Sequence, residues 1–118
     1  MTEETHSREE IFHDQWAASV DLDTVLVDES FESCTAPEGR KIVQLLGDVR
    51  GRSFLDLGCG LGEGAIYFAK KGACGTAADL SGGMLEVVDR LAKQCNVSVA
   101  IEKCAAGQTP FPDETFDI

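Results

Sequence analysis

The chain has 118 residues, room for one core and too few for separate catalytic and regulatory domains. Apolar residues make up 43% and charged residues 26%, which excludes disordered, collagen-like and low-complexity behaviour. Ten Lys and Arg against 21 Asp and Glu leave a net charge of −11, a field that repels phosphate backbones and anionic membrane surfaces, so neither nucleic acid nor membrane is expected as a partner. No apolar run approaches the roughly 18 residues of a membrane span, and Met1-Thr2-Glu3-Glu4-Thr5-His6 lacks the basic and apolar regions of a signal peptide. A soluble, cytoplasmic protein is expected. The five cysteines (Cys34, Cys59, Cys74, Cys95, Cys104) are scattered and contain no C-x-x-C pair, so they read as reduced, small packing residues rather than a zinc site or disulfide framework.

Ser7 and Glu10 have capping-box spacing and predict a helix from about Arg8 to Ala18. Ile11, Phe12, Trp16 and Val20 give it one apolar stripe that needs a surface to lie on. The Phe12 and Trp16 pair is expected in packing, and His13, one turn from Trp16, on the helix surface. Asp21 to Ser33 fits neither period and predicts a loop with room for a short helix. Thr35-Ala36-Pro37-Glu38 repeats the capping-box spacing with proline in the first turn, and Ile42, Val43, Leu45 and Leu46 form an apolar face before Gly47. Residues 1–36 read as a helical cap region in front of a domain spanning 37–118.

Ser53-Phe54-Leu55-Asp56-Leu57 is short, apolar and followed at once by glycines, as a doubly buried strand should be. Gly58 to Gly64 is a turn, Ala65 to Lys71 a helix, and Gly72 its stop. Gly75 to Ala78 predicts a weak strand of small residues ending at Asp79. Ser81 caps the next helix, whose Met84, Val88, Leu91 and Cys95 share a face widened by Leu85 and Ala92, with Asn96 as terminator. Val97 to Ile101 alternates like a strand, and Thr115 to Ile118 begins a fourth. This alternation predicts an α/β fold, a Rossmann-like doubly wound parallel sheet with helices on both faces. A sheet that stops as its fourth strand starts is expected to be truncated, the front half of a larger domain with an open edge available for self-association.

The chemistry is concentrated in Leu55-Asp56-Leu57-Gly58-Cys59-Gly60-Leu61-Gly62-Glu63-Gly64. Alternate glycines let the backbone bend sharply and approach a ligand, and the helix beyond presents unpaired N–H groups. The same glycines also serve a strand-to-helix turn with no ligand. Gly60 to Ala65 satisfies the pattern G-x-G-x-x-G/A with Asp79 at the spacing of a ribose ligand, which leaves a nicotinamide-dependent oxidoreductase open. Asp56 at the strand end and Glu63 in the loop oppose a diphosphate. They suit a ligand with a ribose for one carboxylate and a positive charge for another.

These residues carry a family resemblance. Leu55 to Gly62 resembles the first motif of class I S-adenosylmethionine-dependent methyltransferases, Ala78 to Leu85 their second-strand motif, and Ala105 to Asp117 the segment leading into their fourth strand. The resemblance covers about Lys41 to Ile118, making 37–118 the N-terminal half of such a domain, while the N-terminal helices are similar only to the variable caps of these enzymes. It implies S-adenosylmethionine as cofactor. Gly58, Gly60 and Gly62 would face its methionine portion, Asp56 its amino group, Asp79 the ribose hydroxyls, Leu80 one face of adenine, and the Ala106 N–H the adenine ring. Cys59, in the same loop, and Ala105 count with these cofactor-binding residues, Cys59 for its small size and not as a nucleophile. Ala105 stands where many relatives have an Asp that accepts from the adenine amino group. The implied activity is methyl transfer to a small-molecule acceptor, with no residue identifiable as general base. The alternative from another class is a non-catalytic cofactor-binding or association module.

Overall fold

The computed structural model describes residues 3–105, 107–112 and 115–118. Its elements are α1 (Glu3–Ala18), a 3-10 turn (Leu22–Thr24), α2 (Glu29–Glu32), α3 (Pro37–Leu46), β1 (Ser53–Leu57), α4 (Glu63–Lys70), β2 (Cys74–Asp79), α5 (Gly82–Gln94) and β3 (Ala100–Lys103). Among the described residues no helix is long and apolar enough to cross a membrane.

The three strands form one parallel sheet in the order β1-β2-β3, with Leu55 beside Thr76 and Thr76 beside Ala100. Parallel neighbours need crossovers, and α4 and α5 supply them. Two right-handed crossovers advancing in one direction share a face, and these helices touch each other. Ile66 and Tyr67 of α4 and Met84, Val88 and Leu91 of α5 are buried on that side. The Phe54 ring lies across Gly75, where a Cβ would stand 1.7 Å from it, so β2 has to be made of small residues there.

On the opposite face Leu57 is 41% exposed. A doubly wound sheet covers that face only after its strand order reverses on the far side of β1. That side is where the chain returns: the Ile118 N–H donates to the Ser53 carbonyl at 3.1 Å, and the Ile118 carbonyl accepts from the Leu55 N–H at 3.1 Å. The β1 edge expected to lack a partner is therefore engaged by strand-like bonds from the end of the segment Thr115 to Ile118.

Several ends differ from the sequence expectation. The first helix starts at Glu3, which leaves Ser7 and Glu10 inside it with no capping role. At α3 the cap position is Ala36, without a side-chain bond, and the Thr35 hydroxyl pairs with Ser33 at 2.9 Å instead. The third strand begins at Ala100, three residues late, because Asn96 adopts φ 58° and the Val97 N–H folds back onto the Ala92 carbonyl at 3.0 Å. With the Asn96 N–H on the Lys93 carbonyl at 3.1 Å, this is a Schellman exit from α5, and Val97 and Val99 pack against the helices before the strand starts.

The largest departure is α1. Its apolar stripe faces outward, with Ile11 57%, Phe12 63% and Trp16 47% exposed. Among the described side chains of α1 only Ala17 is buried, against Met84 and Val87 of α5.

Candidate ligand-binding site

After β1 the chain turns through Gly58, Gly60 and Gly62, all in the left-handed region at φ 69°, 57° and 84°. The three do different work. A Cβ on Gly62 would stand 2.6 Å from Val88 Cγ2, so this glycine lets α4 start against α5. A Cβ on Gly58 or Gly60 would meet nothing within 4 Å, so these two present bare backbone to open space. The loop is stapled to the end of β2. The Gly58 and Cys59 N–H groups both donate to the Ala78 carbonyl, at 2.8 and 3.1 Å, and the Gly60 N–H donates to Asp79 Oδ2 at 3.0 Å.

A crevice of about 200 Å³ opens in front of this loop. Gly58, Gly60, Asp79 and Leu80 form one wall, and Cys104 and Ala105, leaving β3, form another. His6, Glu9 and His13 of α1 form the roof. Sites that enclose a whole drug-sized ligand run from roughly 300 Å³ upward, so this crevice encloses part of such a ligand and leaves the rest along the loop. Asp79 is 6% exposed, and its Oδ1 accepts from the Ser81 N–H at 2.9 Å. Each Asp79 oxygen thus has one amide partner and spare lone-pair capacity toward the crevice.

Two anchors hold the roof. Asp14 accepts from the Ser81 hydroxyl and from the Gly83 N–H at 2.9 Å, and Glu10 pairs with Lys103 at the end of β3 at 2.6 Å. His13, expected on the helix surface, therefore belongs to the crevice together with His6 and Glu9. The sequence carries a signal for this outside the apolar stripe: positions 6, 10, 13, 14 and 17 recur at helical spacing and mark an inner face that is mostly polar.

Asp56 and Glu63 lie behind the loop. Asp56 accepts from the Ala65 N–H, and burial, with the Asp79 charge adding to it, holds its carboxyl above the usual range. Glu63 is raised as well, first by burial, while a bond from its own N–H opposes the rise. The first turn of α4, expected to present free N–H groups, is thus already occupied by two carboxylates. A diphosphate at this helix start would displace or face them, which counts against the nicotinamide alternative. Among the described residues Asp56, Glu63 and Asp79 have no ion pair, so this end of the sheet holds negative charge without a matching cation.

Cys59 packs against the core cluster containing Phe54, Ala65 and Val88. Burial first, then the Asp56 and Asp79 charges, push its thiol up to about 12, so it carries no thiolate at neutral pH. Of the residues singled out from sequence, the fold brings Gly58, Gly60, Asp79, Leu80 and Ala105 to one crevice. Asp56, Cys59 and Gly62 shape and support the loop instead, and Ala106 lies outside the described residues. The assembled walls suit a ligand with a flat apolar base, a ribose and a positive charge.

A parallel sheet whose first strand feeds a glycine turn and whose second ends in a carboxylate is a Rossmann-like nucleotide-binding arrangement. The sequence profile of a methyltransferase domain matches residues 54–118, more than half of the chain, and the chain belongs to this family, the class I S-adenosylmethionine-dependent methyltransferases. It is 33% identical over 79 residues to a demethylmenaquinone methyltransferase of Tropheryma whipplei (strain Twist), covering 66% of this chain and 32% of that protein. It is 36% identical over 73 residues to a ubiquinone biosynthesis O-methyltransferase of Alkalilimnicola ehrlichii, covering 62% of this chain and 30% of that protein. The chain thus spans about a third of the length of the curated relatives it matches. The solved structure of Haemonchus contortus phosphoethanolamine N-methyltransferase 1, in complex with phosphoethanolamine and S-adenosylhomocysteine, shares the fold over 99% of this chain and 25% of that one, with a TM-score of 0.69 at 15% identity.

Proposed function

We propose that the chain binds S-adenosylmethionine and serves the transfer of its methyl group to a small-molecule acceptor. The observation that carries this reading is the crevice itself, where the bare backbone of Gly58 and Gly60 adjoins a nearly buried Asp79 carboxylate with spare acceptor capacity. Asp79 takes the ribose hydroxyls, Leu80 and Ala105 flank the adenine, and the loop backbone lies under the methionine chain. The Ala106 N–H, next along the chain, is assigned to the adenine ring on the family resemblance alone. Asp56 and Glu63 favour a cationic ligand through their field rather than by contact. When bound, the cofactor supplies an electrophilic methyl group on a sulfonium; the residues of this chain hold it, orient it and exclude water.

The names of the curated relatives favour a quinone-type acceptor, and the charge of −11 disfavours an anionic one. Unpaired cysteines favour a reducing, cytoplasmic setting. A second reading, a non-catalytic association module, draws on the outer edge of β3, where Ile101 is 44% exposed. Light scattering separates the two, since a monomer that turns over substrate removes the second. Calorimetric titration with S-adenosylmethionine and S-adenosylhomocysteine tests the first. Saturable heat is expected with both, and silence at millimolar ligand overturns it.

A further inference from the structure

Adenine carries an exocyclic amino group, a donor that costs free energy when it enters a crevice without an acceptor. On the sheet side of this crevice the base-flanking residues Leu80, Cys104 and Ala105 offer no carboxylate. Asp79 already receives the Gly60 and Ser81 amides, and its spare capacity goes to the ribose. The remaining carboxylate in the crevice comes from the roof: Glu9 of α1, whose side chain has no hydrogen bond or ion pair among the described residues. Its neighbour Glu10 is tied to Lys103, the residue directly before Cys104 and Ala105, so α1 is pinned beside these two residues, and Glu9 lines the same crevice as they do. Resting on the cofactor reading above, we propose that Glu9 accepts the hydrogen bond of the adenine amino group, a specificity-determining contact supplied by the cap helix across from the apolar Ala105.

The test compares dissociation constants, by calorimetry, for S-adenosylhomocysteine and for its hypoxanthine counterpart, in which a carbonyl oxygen replaces the amino group. The unaltered chain should prefer the adenine compound by about tenfold. Glu9→Ala should reduce that preference severalfold, since the adenine compound loses the acceptor of its amino group while any contact of the Ala106 N–H with the ring is kept. Glu9→Gln, whose amide can donate to the hypoxanthine oxygen, should shift the preference toward the hypoxanthine compound. Phe12→Ser, on the outward face of the same helix, should leave the ratio unchanged. An unchanged ratio in Glu9→Ala, equal weakening of both compounds, or loss of the preference in Phe12→Ser overturns the assignment. Binding of neither compound by the unaltered chain overturns the cofactor reading itself. Glu9 is exposed, so its variants are expected to fold, and the ratio separates recognition of the base from docking of the helix.

Discussion

Asp14 and Gly83, 69 positions apart, are joined by a 2.9 Å hydrogen bond that docks the first helix onto the start of α5. The Ser81 hydroxyl also donates to Asp14 and accepts from the Met84 N–H at 3.1 Å, so a carboxylate from one helix completes the cap of another. The bonds from Ser81 and then Gly83 hold the Asp14 carboxyl below its ordinary 3.8. A depressed value in the folded state means the anchor is intact above the unfolded carboxyl range and is lost as pH falls through the lower folded value. Acid should therefore loosen α1. Asp14→Ala should cost about 1 kcal/mol and raise hydrogen exchange in α1 well before α4. Unaltered exchange in α1 would remove the anchoring role.

The motif glycines should separate in mutagenesis. Left-handed strain costs an alanine roughly 1 kcal/mol at Gly58 or at Gly62, but only Gly62→Ala also drives a methyl group into Val88. Overpacking of that kind adds roughly 1–3 kcal/mol, so Gly62→Ala should destabilise by about 2–4 kcal/mol and Gly58→Ala by about 1. For S-adenosylhomocysteine the ranking should reverse, since the methyl group on Gly58 enters the crevice. Urea denaturation paired with calorimetry checks both, and equal effects at the two positions would contradict the division of labour.

How much of this was legible follows the range of the interactions. For α5, Ser81 as cap, Asn96 as terminator and the Met84, Val88 and Leu91 face were all readable, because caps and periodicity are local. Gly58 to Gly62 was readable as a bend. Its division into a glycine required by packing and glycines that leave open space was not, since that depends on Val88, which arrives only when α5 folds back. The same holds for the crevice roof. His6, Glu9 and His13 reach the site through Asp14 and Glu10, whose partners lie on α5 and β3, and an apolar-stripe criterion pointed to the wrong face of α1.

The orientation of α1 has a direct consequence for stability. Because Phe12 is 63% exposed, Phe12→Ser should change the unfolding free energy by no more than about 0.5 kcal/mol. Ala17→Asp places a carboxylate against Met84 and Val87 and should cost about 2 kcal/mol. Thermal or urea unfolding reads both. A large loss at Phe12 with little at Ala17 would mean that the helix packs by its apolar stripe after all.

Cys59 sits between two motif glycines, where a reactive thiol would invite a covalent mechanism. Its pKa of about 12 against an ordinary 9.0 leaves it roughly a thousandfold less thiolate at pH 8 than an unperturbed thiol. Alkylation at that pH, followed by peptide mass spectrometry, should therefore mark the exposed Cys34 and Cys74 and leave Cys59 unmodified until the pH climbs toward 12 or the chain unfolds. Burial is the largest cause of the shift, so the role of this side chain is to fill space beside Phe54 and Ala65. Cys59→Ala should accordingly bind S-adenosylhomocysteine with nearly unchanged affinity. Rapid alkylation of Cys59 at pH 8, or loss of binding in the alanine variant, would instead place its sulfur at the ligand.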